Sequence, residues 1–173
     1  MTDKLRLRTL EKEDIDFIHR LTNNPDIMSY WFEEAYNSKV KLEEVYMKNK
    51  DNNRDRLFVL EKNSEQLGFV ALFSIDPIHR KAEFAIMIDP AHQGFGYASQ
   101  ATQLATDYAF TVLNLNKLYL IVDEENEKAR HVYQKAGFEI EATLQEEYFV
   151  NGSYHNAVIM NMFQRDYFAK KNL

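Results

Sequence analysis

Two glycines between a strand pattern and a helix pattern constrain this chain more than any other feature. The segment is Asp89-Pro90-Ala91-His92-Gln93-Gly94-Phe95-Gly96-Tyr97-Ala98, and it follows the apolar run from Phe84 to Ile88. The two glycines allow the backbone to curl so that successive N–H groups point one way. The N-terminus of the following helix adds free N–H groups and a partial positive charge. Such a junction predicts a cradle for a pyrophosphate group that needs no lysine.

Three interpretations of this glycine junction are open. It can be a strand-to-helix turn that binds nothing, because short glycine patterns are common. A dinucleotide-binding fold places its glycine-rich turn after the first strand, with an acidic residue about 20 positions later on the next strand. Here three strand-like runs come before the strand that leads into the turn, and the next strand, Leu118 to Val122, comes too late. The third interpretation is a pyrophosphate site in the middle of the chain.

The remaining strand signals predict a sheet without an internal boundary. Strands are predicted at Leu5–Leu7, Leu57–Leu60, Phe69–Ile75, Ala82–Ile88 and Leu118–Val122. Asn151-Gly152, between Tyr148-Phe149-Val150 and the run Tyr154–Phe163, predicts a hairpin. No linker, repeat or low-complexity tract interrupts the pattern, so we expect one domain over residues 1–173.

Helices are predicted where apolar residues recur at helical spacing. One runs from Glu13 to Leu21, and a second follows Ser38 with Leu42, Val45 and Tyr46 on one face. After the glycine junction, a stripe that we expect to be buried consists of Ala101, Leu104, Ala105, Tyr108 and Val112. Asn126 caps a further helix that Gly137 closes. The elements together predict an α/β chain, with a mixed sheet that carries helices on both faces.

Composition and charge exclude several classes of function. The chain has no cysteine, which rules out disulfides, thiolate metal sites and a cysteine nucleophile. No apolar run approaches the roughly 20 residues of a membrane span, and Thr2–Arg6 has no apolar signal core. We therefore expect a cytoplasmic protein without a membrane partner. A net charge of −6 argues against nucleic acid as a partner and is compatible with a cationic ligand.

The glycine junction also carries a resemblance to a known family. Gln93, Gly96 and Ala98 match the Gln/Arg-x-x-Gly-x-Gly/Ala signature of the GNAT acetyltransferases, which bind acetyl-CoA there. Over almost the whole chain the sequence resembles bacterial spermidine N-acetyltransferases, in Asn23-Asn24, Ile27–Glu34, Ile78-His79-Arg80, Tyr108–Leu115, Asn126–Tyr133 and Phe149–Gly152. The resemblance implies the GNAT acyltransferase fold, an α+β arrangement in which helices flank a mixed, mostly antiparallel sheet. It implies acetyl transfer from acetyl-CoA to spermidine or spermine.

Acetyl transfer from a thioester to an amine needs two proton movements. The amine must lose a proton, since the pKa of a polyamine nitrogen is roughly 10. The departing thiolate must gain a proton or be stabilised. The resemblance makes Tyr133 the proton donor to coenzyme A, where the alternative is a core tyrosine at helical spacing with Ala129 and Ala136. It makes Glu83 the group that holds the amine and relays its proton, where the alternative is a solvated glutamate on an alternating strand.

The resemblance implies two sets of binding residues. Acetyl-CoA, as co-substrate, would contact Ile86, Met87, Ile88, Gln93, Gly94, Phe95, Gly96, Tyr97, Ala98, Ser99, Asn126, Lys128, Ala129, Arg130, Tyr133 and Lys135. The polyamine would contact aromatic and acidic groups, which suit a polycation, and their neighbours: Met28, Tyr30, Trp31, Glu33, Glu34, Tyr36, Glu83, Phe84 and Ala85. The alternatives are core strand for the apolar members and a structured loop anchored by Trp31. Relatives use this loop partly in an allosteric site between subunits, so we expect a homo-oligomer, a dodecamer by resemblance.

Several positions depart from the pattern of these relatives. Phe95 replaces the usual lysine of the glycine junction, so we expect weaker rather than absent pyrophosphate binding. Lys41, Ala71 and Ser74 stand where the family has acids of its regulatory site, and Asn49 replaces a histidine. Each change removes negative charge or a polar group from a polycation site. We therefore expect no metal ion there, although a glutamate remains at position 33.

Two other functions fit the same residues. One is a GNAT enzyme that acetylates another amine, such as a protein N-terminus or an aminoglycoside. The other is a non-catalytic acetyl-CoA-binding protein that serves as a sensor or assembly module. Retention of Tyr133 and Glu83 argues against the second, because a protein that only binds the cofactor would not require them.

Overall fold

A seven-stranded sheet forms the centre of the computed structural model, which describes residues 4–171. The strands are β1 Arg6–Thr9, β2 Arg56–Lys62, β3 Glu65–Asp76, β4 Lys81–Ile88, β5 Lys117–Asp123, β6 Glu139–Val150 and β7 Ser153–Phe163. Their order is β1-β2-β3-β4-β5-β7-β6, and only β4 and β5 run parallel. The predicted mixed, mostly antiparallel sheet is confirmed. Thr2 and Asp3, which belong to the segment where no signal core is expected, lie outside the described residues.

Helices cover both faces of this sheet. They are α1 Ile15–Thr22, α2 Pro25–Met28, α3 Lys39–Asn49, α4 Tyr97–Thr111, α5 Glu127–Ala136 and α6 Gln164–Lys171. Successive strand residues point to opposite faces, and they divide the core accordingly. Val70 packs in a cluster with Phe110 of α4, whereas Ala71 packs in a second cluster with Leu21 of α1. Within residues 4–171, no helix is long and apolar enough to cross a membrane.

The buried face of α4 differs from the stripe that the spacing predicts. Leu104 and Tyr108 are only partly buried, and the prediction was wrong for Val112, which is 64% exposed because the helix ends at Thr111. The face against the sheet consists of Ala101, Thr102, Ala105, Thr106, Ala109 and Phe110. The two threonines can be buried because each hydroxyl donates to a carbonyl of the preceding turn, as Thr102 does to Ala98 at 2.7 Å.

The second predicted helix, α3, buries fewer of its apolar residues than the spacing of these residues predicts. Leu42 and Tyr46 are partly buried and contact the second cluster, but Val45 is 50% exposed. The rest of its surface is polar or exposed, and none of its residues is fully buried. The α3 helix therefore lies on the outside of the protein, next to α1.

The predicted hairpin is confirmed at Asn151-Gly152. Both residues have positive φ angles, 49° and 88°, as a tight two-residue turn requires, and Val150 pairs with Ser153 beside it. The β6 strand begins as early as Glu139, which the pattern missed because most of this edge strand is exposed. The C-terminal helix α6 was also missed; Tyr167 anchors it by packing against Phe110 at a ring-centroid distance of 5.1 Å.

Candidate active site

A gap opens in the sheet where β4 and β5 separate. Parallel pairing joins Lys81 to Lys117, Ala82 to Leu118 and Glu83 to Tyr119, and then ends. The β5 strand stays paired with β7 up to its end, and β4 stays paired with β3 up to Ile88. Over residues 84–88, no strand of the described chain pairs with the β5 side of β4. An extended ligand can therefore pair with this edge as an added strand.

A cleft of about 980 Å³ occupies this gap and extends beyond it. This volume is at the upper end of the usual range for small-molecule sites. Of the residues assigned from the sequence, the cleft is lined by Tyr30, Trp31, Glu33, Glu83, Phe84, Ala85, Ile86, Met87, Ile88, Gln93, Ala98, Asn126, Lys128, Ala129 and Tyr133. Members of the predicted cofactor set and of the predicted acceptor set thus share one cleft.

The glycine junction at the end of the cleft has the backbone geometry of an anion cradle. Gly94 and Gly96 adopt left-handed φ angles of 85° and 76°, and Gly96 is the N-cap of α4 without any side-chain cap. The first N–H groups of α4 therefore remain available to an anion. Buried Asp89 fixes the start of the junction, because its carboxylate accepts from Ala91 N and from Arg20 Nη1, at 3.1 and 2.5 Å.

Tyr133 projects from α5 into a cage of aromatic rings. Its ring centroid lies 6.1 Å from that of Phe84 and 6.0 Å from that of Phe138, edge-on to both. Burial raises the pKa of the Tyr133 hydroxyl well above its usual value. The tyrosine lines the cleft, where its protonated hydroxyl is a possible hydrogen-bond or proton donor.

Glu83 lies at the last paired position of β4, where the gap begins. It is half-buried, and burial raises the pKa of its carboxyl group. Two tyrosines that sequence reasoning missed are near it. Burial and then the charge of Glu83 raise the pKa of Tyr119, and burial followed by the charges of Glu147 and Glu83 raises the pKa of Tyr148. Tyr119 lies between Leu118 and Leu120, which are both buried. This alternation could have shown from the sequence that Tyr119 lies on the opposite face of the sheet from the two leucines.

The segment from residue 29 to residue 36, here called the acceptor loop, contributes to one end of the cleft. Trp31 packs against Phe69 and Phe73 of β3, and its indole N–H donates to Ile86 O at 3.3 Å. Phe32 stacks on Tyr148 at a centroid distance of 3.8 Å and an angle of 7°. The loop is therefore attached both to the sheet centre and to β6.

Ten residues assigned from the sequence do not line the cleft. Met28 is buried in the second cluster, Glu34 and Tyr36 are exposed, and Phe95 is 68% exposed beside the glycine junction. The other six are Gly94, Gly96, Tyr97, Ser99, Arg130 and Lys135. Arg130 donates from Nη1 to Glu124 O at 2.8 Å, and its buried Nε has no hydrogen-bond partner among the described residues.

A group of possible metal ligands lies outside the acceptor loop. Oxygen atoms of Asp123 and Glu125 and a ring nitrogen of His155 all lie within 4.8 Å of one another. The imidazole already bonds to Asp123 Oδ2 through Nδ1 at 2.7 Å and to Ser153 Oγ through Nε2 at 3.1 Å. The bond to Asp123 joins the start of β7 to the end of β5, whereas Ser153 and His155 both belong to β7.

Residues 4–139 match the family model described as an acetyltransferase (GNAT) domain. The chain belongs to the GNAT acetyltransferase family. Among its GNAT relatives, the spermidine N(1)-acetyltransferase of Escherichia coli strain K12 is 51% identical over 166 residues, which cover 96% of this chain and 89% of that protein. The crystal structure of spermidine N-acetyltransferase from Vibrio cholerae in complex with CoA and spermine gives a TM-score of 0.94 at 48% identity, covering 96% of this chain and 99% of that one.

A second solved structure concerns assembly. The dodecameric structure of spermidine N-acetyltransferase from Vibrio cholerae in an intermediate state gives a TM-score of 0.88 at 48% identity. It covers 98% of this chain and 99% of that one. The resemblance to the GNAT family and its fold, which the sequence predicted, is confirmed.

Proposed function

We propose that this GNAT-family protein is a spermidine/spermine N-acetyltransferase that uses acetyl-CoA. One observation carries the proposal: the cleft at the separation of β4 and β5 is lined by an unpaired strand edge, by Tyr133 and by Glu83. The relatives support the substrate pair, since a similar enzyme is described in complex with CoA and spermine. We extend the same support to a homo-oligomer, because a similar enzyme is described as a dodecamer.

The donor would lie along β4 and end at the glycine junction. The backbone of Ile86–Ile88 would pair with the amide groups of the acyl arm. The pyrophosphate would accept from the N–H groups at Gly94–Ser99, which need no lysine at position 95. Arg130 supports an anionic ligand beside α5, because its buried Nε has no partner in the described chain. Lys128, which does line the cleft, adds a further cation on α5.

In the transfer step, the free amine nitrogen attacks the carbonyl carbon of the acetyl group. The carbon–nitrogen bond forms, the carbon–sulfur bond breaks, and the thiolate takes the proton of Tyr133. The proton that the nitrogen loses on forming the amide passes to Glu83, directly or through water. An equivalent proton then returns through water from Glu83 to the Tyr133 phenolate, which restores both groups. The raised pKa of Glu83 favours this role, since a more basic carboxylate is a better proton acceptor.

The acceptor end of the cleft is acidic, as a polycation requires. Four carboxylates line the cleft, namely those of Asp26, Glu33, Asp55 and Glu83. Charge-assisted contacts between several carboxylates and several ammonium groups favour a linear polyamine over a monoamine. Tyr30, Trp31 and Tyr148 add aromatic surface to the same cleft.

Release of coenzyme A measured with a panel of polyamines, aminoglycosides and peptides tests the proposal. We expect the highest kcat/KM for spermidine or spermine. A higher kcat/KM for an aminoglycoside or a peptide would contradict the proposal and assign the enzyme to that class of acceptor. Binding of acetyl-CoA without release of coenzyme A from any acceptor would instead support the non-catalytic alternative.

Glu83→Gln is expected to lower the turnover number about 10²-fold, near the lower end of what a positioned proton acceptor contributes. The wild-type rate should fall as pH falls through the pKa of Glu83, and burial places that limb above the ordinary range for glutamate. In Glu83→Gln this fall in rate at low pH should be absent. Rate profiles against pH check this, with exposed Glu139→Gln on β6 as the control. An unchanged acid limb in Glu83→Gln would assign it to another group.

Spermidine is expected to give a hyperbolic rate curve, without marked cooperativity. Lys41 bonds to Asn37 Oδ1 at 2.8 Å, Ala71 is fully buried, and Ser74 carries no charge, so three acids of the relatives' regulatory site are missing. Exposed ion pairs contribute only about 0–1 kcal/mol each, so a polyamine site needs several of them. Initial rates against spermidine concentration check this expectation. Lys41→Glu should shift the curve toward a sigmoidal shape.

Cooperative kinetics with spermidine would contradict this expectation. A clearly sigmoidal wild-type curve that a non-acetylatable polyamine makes hyperbolic would show a working regulatory site. Light scattering gives the mass of the oligomer with and without polyamine. We expect the same mass in both cases, because assembly should not require the ligand.

A further inference from the structure

Trp31 connects the acceptor loop to the strand that would carry the donor. Its indole N–H donates to Ile86 O at 3.3 Å across 55 positions of sequence. Its ring is held by Phe69 and Phe73 of β3, at centroid distances of 6.2 and 6.5 Å. An indole engaged in this way acts as an anchor, with its polar atom committed to the backbone of β4.

The carbonyl that Trp31 contacts belongs to the open edge of β4. Carbonyls two residues apart on a strand point to the same side. The next carbonyl in this series, Ile88 O, accepts from Gln93 Nε2 of the glycine junction at 3.2 Å. Trp31, Gln93 and both isoleucines line the cleft, so these two acceptors face the gap between β4 and β5.

The residues next to Trp31 reach the acceptor end of the cleft. Tyr30, Phe32 and Glu33 all line it. Phe32 is held in the left-handed region, at φ 57° and ψ 29°, while its ring stacks on Tyr148. A side chain other than glycine in this conformation is strained and persists only where its surroundings fix it. The loop is therefore held at Trp31 and at Phe32, so a displacement of the indole would alter the position of Phe32 and Glu33.

We propose that Trp31 is a positioning residue that couples donor binding to the acceptor loop. The ligand that acts on it is the amide-containing arm of coenzyme A, whose N–H groups require carbonyl acceptors such as Ile86 O. The arm and the indole compete for this carbonyl, so binding of the donor changes the contacts of Trp31 and, through them, the position of the acceptor loop. This inference rests on the proposed function, because it needs the arm to lie along β4.

The fluorescence of Trp31 provides a direct test, since it is the only tryptophan in the chain. Titration with coenzyme A alone, without a polyamine, should change the emission with the same Kd that calorimetry gives. Adenosine 3′,5′-diphosphate, which lacks the arm and the pyrophosphate, and ADP, which keeps a pyrophosphate, should leave the emission unchanged when bound. Calorimetric binding of coenzyme A with unchanged emission would overturn the coupling. Failure of coenzyme A to bind at all would overturn the proposed function instead.

Trp31→Phe separates the hydrogen bond from the packing of the ring. Removing a competing neutral hydrogen bond of about 1 kcal/mol should tighten the binding of coenzyme A about 5-fold. Because the arm has already displaced the indole when spermidine is acetylated, kcat and the KM for spermidine should each stay within about 2-fold. Tyr154→Phe, at a 65% exposed position of the hairpin, is the control. An unchanged Kd for coenzyme A in Trp31→Phe, or an equal change in both variants, would contradict the competition for Ile86 O and with it the positioning role.

Discussion

Tyr133→Phe is expected to lower the turnover number about 10²–10⁴-fold while the affinity for acetyl-CoA stays nearly intact. The phenyl ring keeps the edge-on contacts with Phe84 and Phe138, and only the hydroxyl proton is lost. Stopped assays of coenzyme A release give kcat, and calorimetry gives the cofactor Kd. Equal turnover in the variant would remove Tyr133 from the mechanism.

A matched control and a pH profile sharpen this test. Tyr108→Phe on α4 also removes a phenolic hydroxyl, from a partly buried ring that lies edge-on to Phe58 at 5.3 Å, and it should leave kcat unchanged.

The wild-type rate should rise toward alkaline pH, because more of the amine is deprotonated. Burial raises the pKa of Tyr133, so its ionisation should not cause a fall near the ordinary value for tyrosine. A flat profile from neutral to alkaline pH would contradict amine deprotonation as a controlling step.

Gly96→Val is expected to abolish acetyl-CoA binding without unfolding the protein. Gly96 has a φ of 76°, which a β-branched residue tolerates poorly, and its side chain would also stand where the ligand approaches the backbone. Within the protein, the nearest atom to an added Cβ is Gln100 Nε2 at 4.0 Å, so the fold itself has room. Calorimetry with acetyl-CoA and a thermal unfolding curve measure the two effects separately.

Gly152→Val is the matched control for the glycine junction. Gly152 also has a positive φ, 88°, with open space around an added Cβ, but it belongs to the hairpin. Both variants should show a similar loss of stability from backbone strain, and only Gly96→Val should lose the cofactor. Normal binding by a folded Gly96→Val protein would overturn the assignment of the cradle.

Features set by neighbouring residues could be predicted from the sequence. The glycine junction is one, because a positive φ and a helix start depend on a few adjacent positions. Another is α5, where Asn126 Oδ1 accepts from Ala129 N at 3.1 Å and Gly137 closes the helix at a φ of 112°. The Asn151-Gly152 turn is a third. The roles of Tyr133 and Glu83 came from resemblance to a family, and local pattern alone left their core and solvent alternatives open.

Features that depend on distant segments could not be predicted. The separation of β4 from β5 follows from which strands pair, and no local signal contains that information. Tyr148 approaches Glu83 only because β6 folds back beside β7, and Trp31 meets Ile86 only after the acceptor loop packs on β3. The polar residues inside α4 were missed because their hydroxyls are satisfied by the helix itself, a compensation that a hydrophobic pattern does not record.

The short pairing of β4 with β5 leaves few backbone hydrogen bonds between the two halves of the sheet, although one hydrophobic cluster packs against both. Three residue pairs join the half that contains β1 to β4 with the half that contains β5 to β7, whereas pairing within each half is more extensive. Regions linked by few hydrogen bonds open as separate cooperative units at a lower free energy than global unfolding. A cofactor seated between the halves would bind only while they are closed, and by mass action it would suppress their independent opening. The ligand would then contribute to the integrity of the sheet as well as to the reaction.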